Sequence, residues 1–257
     1  VGAPLMTVLS YRAGSTLIDT GQSHMRPEVL QMVKREKIGA VLLTHCHEDH
    51  SGNARAIKAA FDIPVYAGKL TAEKLSRPFR ILPYQRLVWG PSEPVVLQVL
   101  PDEGFEADGL RFIPIHTPGH AKGHLVYLVP EEGWLFSGDL YLSDRIKYFR
   151  ADERIDEQIV SLKKVLTLDF DALFCAHHPK PANGKAFISR KLQFLEDFYG
   201  RTVELAGKGL DSAAIMKELH LREVWKIKLL CFGNVSMENM VKSAISSLSP
   251  RIMKVSK

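Results

Sequence analysis

Apolar residues fall along this chain in two rhythms: short continuous runs bounded by turn residues, and longer stretches in which they recur every three or four positions. The first rhythm predicts strands and the second helices. Met6 to Ser10 and Thr16 to Ile18 read as two strands joined at Arg12-Ala13-Gly14-Ser15. The run Gly39-Ala40-Val41-Leu42-Leu43 predicts a buried strand, and Ile63 to Ala67 another. Val95 to Leu100, Leu110 to Ile115, Leu125 to Val129 and Trp134 to Phe136 read as consecutive strands. The turn signals Asp102-Glu103-Gly104, Asp108-Gly109 and Glu131-Glu132-Gly133 separate them. A further strand is expected at Ala172-Leu173-Phe174-Cys175. Helical spacing covers Pro27 to Lys37, with Pro27 suited to a first turn, Ile155 to Leu166, residues 188–206 and residues 236–248. A helix is also expected to start at Ser51-Gly52. In the last helix Met237, Met240, Val241, Ala244, Ile245 and Leu248 form one stripe behind Ser236 as N-cap. Core packing is the expected use of that stripe, with a homodimer contact as its alternative. Strands followed by helix, twice over, predict an α+β fold with two sheets face to face and helices outside.

Two stretches resist the pattern. Residues 69–94 carry Pro78, Pro83, Pro91 and Pro94 with Phe79, Tyr84 and Trp89 between them. Proline at that density breaks regular structure while the aromatics need something to pack on. The reading is an ordered cap or loop insertion, or else an interface segment. The apolar run Trp225 to Phe232 is left unplaced.

Composition narrows the class. A hydrophobic content of 46% and a charged content of 25% over 257 residues are those of a soluble globular protein. No apolar run approaches a membrane span and no signal-peptide pattern opens the chain, so the cytoplasm is the expected compartment. Val1 at the first position suggests a trimmed start. The cysteines Cys46, Cys175 and Cys231 are too few and odd in number for a disulfide framework, which indicates reduced thiols. The net charge of +5 sits entirely in residues 201–257, with ten Lys/Arg against five Asp/Glu, while the first 200 residues balance at 24 and 24. A solvated helical surface accounts for this, and a polyanion-binding face is the sharper alternative.

The chemistry lies in Thr44-His45-Cys46-His47-Glu48-Asp49-His50-Ser51-Gly52, directly after the buried run. In an extended turn His45 and His47 can face one cation while Cys46 points away. Two imidazoles suit a borderline metal such as zinc, and a carboxylate with a further imidazole can hold a second metal beside it. The alternative is a polar loop of solvated histidines.

These residues match HxHxDH, the defining motif of the metallo-β-lactamase superfamily, and further motifs follow in the family's order. His116-Thr117-Pro118-Gly119-His120 resembles TPGH, Phe136-Ser137-Gly138-Asp139 resembles SGD, and Ala176-His177 stands where the family has Gly-His. The resemblance covers roughly residues 5–185. It implies a four-layer αββα sandwich in residues 1–187, followed by a helical extension in residues 188–257. It also implies two divalent cations, zinc foremost with manganese or iron as alternatives. One would be held by His45, His47 and His120, the other by Asp49, His50 and His177, with Asp139 bridging. Asp19, in Ile18-Asp19-Thr20-Gly21, matches an aspartate that supports the metal loop from behind. His178 and His116 or His124 are the register alternatives to His177 and His120.

The resemblance implies hydrolysis by a hydroxide shared between the metals, on a thioester, lactone or other small ester, with Asp49 also orienting the attacking water. The bridging Asp139 points to the glyoxalase II-like branch and away from antibiotic hydrolysis. True glyoxalase II has GHEYT where this chain has Ala176-His177-His178-Pro179-Lys180, which sets glutathione specificity in doubt. Arg145, Lys147, Tyr148 and Lys180 are candidates to bind an anionic substrate tail. The competing expectations are a mononuclear iron persulfide dioxygenase and a metal-dependent phosphodiesterase or ribonuclease. No dedicated nucleic-acid motif supports the last.

Overall fold

In the computed structural model, residues 7–248 are described. The chain divides into two compact units. Of the described residues, 7–117, Lys122–Leu142 and Asp169–Lys185 form the first, and Pro118–Ala121, Ser143–Leu168 and 186–248 the second.

The first unit begins with a hairpin, β1 (Tyr11–Ala13) and β2 (Thr16–Ile18). Ala13 pairs with Thr16, so the turn is tighter than the sequence pattern predicts and the first strand starts later than Met6 to Ser10. Gly14 makes this possible, because its φ of +59° is open to a residue without a Cβ. Met6 lies outside the described residues. α1 (Arg26–Arg35) follows with Pro27 in its first turn, as expected. β3 (Ala40–Leu43) is buried at every residue because it is flanked by β2 and by β4 (Val65–Ala67), both parallel to it. Between β3 and β4 run two short helices, α2 (Glu48–Ser51) and α3 (Ala54–Phe61). Helix therefore starts three residues before the expected Ser51, which places Asp49 and His50 on α2.

The stretch 69–94 corrects the expectation of irregular structure. It folds as α4 (Lys69–Leu75) and α5 (Pro83–Trp89). Pro83 stands in the first turn of α5, where a missing N–H removes no intrahelical bond, and the other three prolines fall outside both helices. Tyr84 and Trp89 are buried, so the aromatic anchors do find packing. Of the predicted strand Val95 to Leu100 only β5 (Gln98–Val99) pairs, at the edge of the sheet ordered β1-β2-β3-β4-β5.

The second sheet contains β6 (Phe105–Ala107), β7 (Leu110–His116), β8 (Leu125–Val129) and β9 (Trp134–Gly138). β6 is a short strand the pattern did not resolve. Then come β10 (Phe149–Arg150), α6 (Ile155–Leu166) and β11 (Ala172–Cys175), the last two with the predicted bounds. β11 joins β9 in parallel, giving the order β11-β9-β8-β7-β6. The two sheets meet through Ile18 and Leu42 on one side and Phe112, Leu125, Tyr127, Val129 and Phe136 on the other. On the outer face of the first sheet Val41, Leu43 and Val65 pack with Val33, Ala54, Ile57 and Leu75, from helices α1, α3 and α4. Mixed parallel and antiparallel sheets with helices outside are the α+β sandwich that the sequence predicts.

α7 (Gly184–Gly207) begins earlier than residue 188. Within the second unit it is followed by α8 (Ser212–Glu218), α9 (Trp225–Leu230), β12 (Val235–Ser236) and α10 (Met237–Ser246). β12 pairs with β10, and the Ser236 hydroxyl caps α10 by accepting from the Asn239 amide. Met237, Met240, Val241 and Ala244 are buried, so the stripe does pack inward. The unplaced run becomes α9 and its exit, where Trp225, Leu229 and Phe232 stay exposed. No described helix is long and apolar enough to cross a membrane.

Candidate metal centre

The site is built at the C-terminal end of β3, where the strand's hydrogen bonding stops and its next side chains are free to converge. Asp19, just past the end of neighbouring β2, organises this mouth. Its carboxylate accepts from the Thr44 amide and the Thr44 hydroxyl, both at 2.8 Å, and lies 2.7 Å from His50 Nδ1. Asp19 holds a φ of +60°, a left-handed conformation that Asp tolerates better than most residues. With Nδ1–H donating to Asp19, His50 turns Nε2 into the site. The Thr44 hydroxyl also meets His45 Nδ1 at 3.0 Å. His45 Nε2 and His47 Nδ1 then approach to 2.9 Å. Cys46 points away into the apolar cluster with Ala54 and Ile57, as the alternation predicts.

From the second sheet, Asp139 follows the end of β9. Its backbone amide donates to His124 Nε2 at 3.2 Å, while His124 Nδ1 meets the Thr117 hydroxyl at 2.8 Å. His124 therefore fixes the loop that presents Asp139. Asp139 Oδ1 is 3.2 Å from His50 Nε2 and 3.5 Å from His177 Nε2. His177 is held on its other nitrogen by the carbonyl of Thr7 at 2.8 Å. Asp49 Oδ2 lies 3.8 Å from His50 Nε2. His120 follows Pro118-Gly119 in the turn after β7.

Two groups of ligand atoms result, each with members within 4.8 Å of one another: His45, His47, His120 and Asp139 in one, Asp49, His50, Asp139 and His177 in the other. Asp139 is common to both. All these residues are buried except His177, which is partly so. All seven candidate ligands thus fall in the groups. His178 falls in neither, and its amide donates to Cys175 Sγ. His116 is exposed and bonds the Lys122 carbonyl, and His24 bonds that of Leu87. Among the four candidates for an anionic tail, Arg145, Lys147 and Tyr148 are exposed and Lys180 is partly buried next to the bridge its backbone makes with Leu173. Arg145 lines a cavity of about 650 Å³ with Arg190, Phe194 and Arg201 in the second unit.

The electrostatics fit divalent cations. Burial alone would push the His50 imidazole down, but the carboxylates of Asp139, Asp19 and Asp49 outweigh it and hold it well above its ordinary value. For Asp49, burial dominates and raises the carboxyl, against the pull of His50. Negative charge concentrated away from water calls for positive charge, and His50 Nε2 is buried without a hydrogen bond. Imidazole nitrogens and carboxylate oxygens are the donor set of zinc, manganese and iron sites.

In the sequence His124 presents itself only as an alternative ligand, and nothing singles out Glu48. His124 stands next to β8 with no motif to mark it, and Glu48 occupies a variable position of the motif.

The chain is similar to known proteins in sequence and in fold. The "Beta-lactamase-like protein 2 homolog" of Drosophila melanogaster is 32% identical over 170 residues, 63% of this chain and 53% of its own length. A hydroxyacylglutathione hydrolase of Bdellovibrio bacteriovorus is 32% identical over 160 residues, 60% of this chain and 56% of its own. The matched stretch thus spans little more than half of these relatives. The crystal structure of TTHA1623 in a di-iron-bound form superposes with a TM-score of 0.55 at 27% identity, over 72% of this chain and 94% of that one. The family model of the metallo-beta-lactamase superfamily matches residues 1–177, and the chain belongs to that superfamily.

Proposed function

We propose that this chain is a metal-dependent hydrolase that cleaves a thioester, lactone or other small ester with two divalent cations, most readily zinc. The observation that carries the reading is the overlap of the two ligand groups at Asp139, because one carboxylate shared between two sets can hold a pair of cations side by side. The hydroxyacylglutathione hydrolase among the relatives supports the ester class. His45, His47 and His120 would hold one cation, Asp49, His50 and His177 the other, and Asp139 both. Such a pair supplies a water of lowered pKa and polarises the scissile carbonyl.

The chain's own residues do the rest. Asp19 fixes the His50 tautomer, and Thr44 fixes Asp19. Asp49 accepts a hydrogen bond from the attacking water and orients it toward the carbonyl carbon. Burial of His45, Asp49 and Asp139 limits competing solvent. Arg145, Lys147, Tyr148 and Lys180 are the proposed contacts for an anionic tail, which substitution of each should report as a raised KM.

The test is hydrolysis of a panel of thioesters, lactones and phosphodiesters by protein of measured metal content. Ester or thioester turnover with two equivalents of zinc or manganese is expected. One equivalent of iron with oxygen consumption and no hydrolysis would replace this reading with persulfide oxidation, and phosphodiester cleavage alone would replace it with a nuclease.

A further inference from the structure

Glu48 lies between His47 and Asp49, one member of each ligand group, and opens α2. It is 4% exposed. Both of its carboxylate oxygens lie within reach of Gln85 Nε2, at 3.2 and 3.1 Å. Gln85, also 4% exposed, belongs to the third position of α5, thirty-seven residues further along the chain. Its other amide atom is already committed: Oε1 accepts from the Leu82 amide at 2.7 Å, capping α5. The amide therefore has one orientation, with its NH2 toward Glu48.

The far end of α5 is fastened as well. The Ser23 hydroxyl meets the carbonyls of Trp89 and Pro91, and His24 Nε2 meets that of Leu87. Ser23 and His24 follow Thr20 to Gln22, the stretch whose backbone takes hydrogen bonds from Asn53 behind α2. The Ser23 amide nitrogen would lie 2.7 Å from a Cβ on Gly52, so this stretch abuts the exit of α2 directly. Residues 69–94, whose sequence suggests an ordered cap or loop insertion or else an interface segment, are thus pinned on both sides of the ligand-bearing turn.

We infer that Gln85 is a positioning residue for the metal centre: through Glu48 it sets the first turn of α2, and with it the aim of His47 and Asp49 in both ligand groups at once. The inference rests on the metal reading above and adds a residue outside every motif. An apolar side chain at position 85 would remove the donor that faces both oxygens of the buried Glu48 carboxylate and so weaken the hold of α5 on the first turn of α2. A hydrogen bond made directly to a ligand changes metal affinity by about 10- to 100-fold when lost, and one that acts through a neighbouring residue is expected to give a smaller loss, about 3- to 10-fold.

The experiment is a chelator-competition titration of zinc on the full chain for the wild type, Gln85→Leu, Gln85→Glu, and the exchanged pair Glu48→Gln with Gln85→Glu. Thermal unfolding of each protein without metal is measured alongside. Zinc affinity is expected to fall about 3- to 10-fold in Gln85→Leu and further in Gln85→Glu, where two carboxylates meet, and to recover most of the loss in the exchanged pair, which restores one amide against one carboxylate. Wild-type binding with unchanged affinity in Gln85→Leu would overturn the positioning role and leave the metal centre standing. Failure of the exchanged pair to recover any affinity while it unfolds at the wild-type temperature would overturn it too. Absence of zinc binding by the wild type would overturn both proposals.

Discussion

The mouth of β3 and the knuckle around α9 place side chains in opposite ways. At the first, the ionisable residues His45, His50 and Asp49 are 0%, 0% and 7% exposed, while at the second the apolar residues Trp225 and Phe232 are 63% and 73% exposed. Burying an unpaired charge costs several kcal/mol, so the mouth persists only because each group is tied: Asp19 to Thr44 and His50, His177 to Thr7, and the Asp139 carboxylate to His50 and His177. Charges around α9 sit in part-exposed pairs, Lys228 with Glu223 and Glu238, and Lys242 with Glu238. Such pairs contribute little and can be lost cheaply. The lesson is that position in the fold, more than residue type, decides what a substitution does.

The contrast can be broken in a graded series. His47→Ala should remove metal and hydrolysis together, by at least about 100-fold in kcat/KM, checked by elemental analysis beside the assay; full activity at full metal content would remove His47 from the ligand set. Asp19→Ala should destabilise the protein by about 3 kcal/mol in denaturant unfolding, because the Thr44 amide and His50 both lose a buried acceptor. A change below about 1 kcal/mol would show that the mouth is not held as described.

At α9 the expected effects are smaller. Hydrogen bonds from Lys228 and Lys242 hold the Glu238 carboxyl at about 2. A depressed carboxyl contributes stability that is complete above its unfolded value and disappears as pH falls toward the folded one. Glu238→Gln should therefore lower stability at pH 7 by about 1 kcal/mol or less, since the pair is in contact with solvent. The difference from wild type, followed as Tm against pH, should shrink below about pH 4.5 and be gone near pH 2. Phe232 has a φ of +51°, in the region that disfavours bulky side chains. Phe232→Gly should raise stability by about 0.5 kcal/mol in the same unfolding assay. A loss instead would show that the exposed ring packs on something that stabilises it.

Much of the fold could be read from the chain. β3, β8, α6 and β11 match their apolar runs because burial on both faces of a strand, or one stripe of a helix, leaves a local signature. Residues 69–94 misled for an equally local reason: counting prolines ignores where in a helix each one falls. The first strand was placed too early because the turn length depends on Ala13 pairing with Thr16, a fact of register.

His45, His47, Asp49 and His50 announce themselves because one turn of chain carries them all, and no folding is needed to see that they are close. Their convergence with His120, Asp139 and His177 was implied by family order alone, and the sheet order brings the ends of β9 and β11 to one place. Gln85 against Glu48 and His124 against Asp139 have no signature in the sequence, since contacts between distant elements follow from how helices and strands pack. Residue types and local spacing determined which atoms this protein has for binding cations; only the tertiary structure decided which of them meet, and which neutral neighbours hold them there.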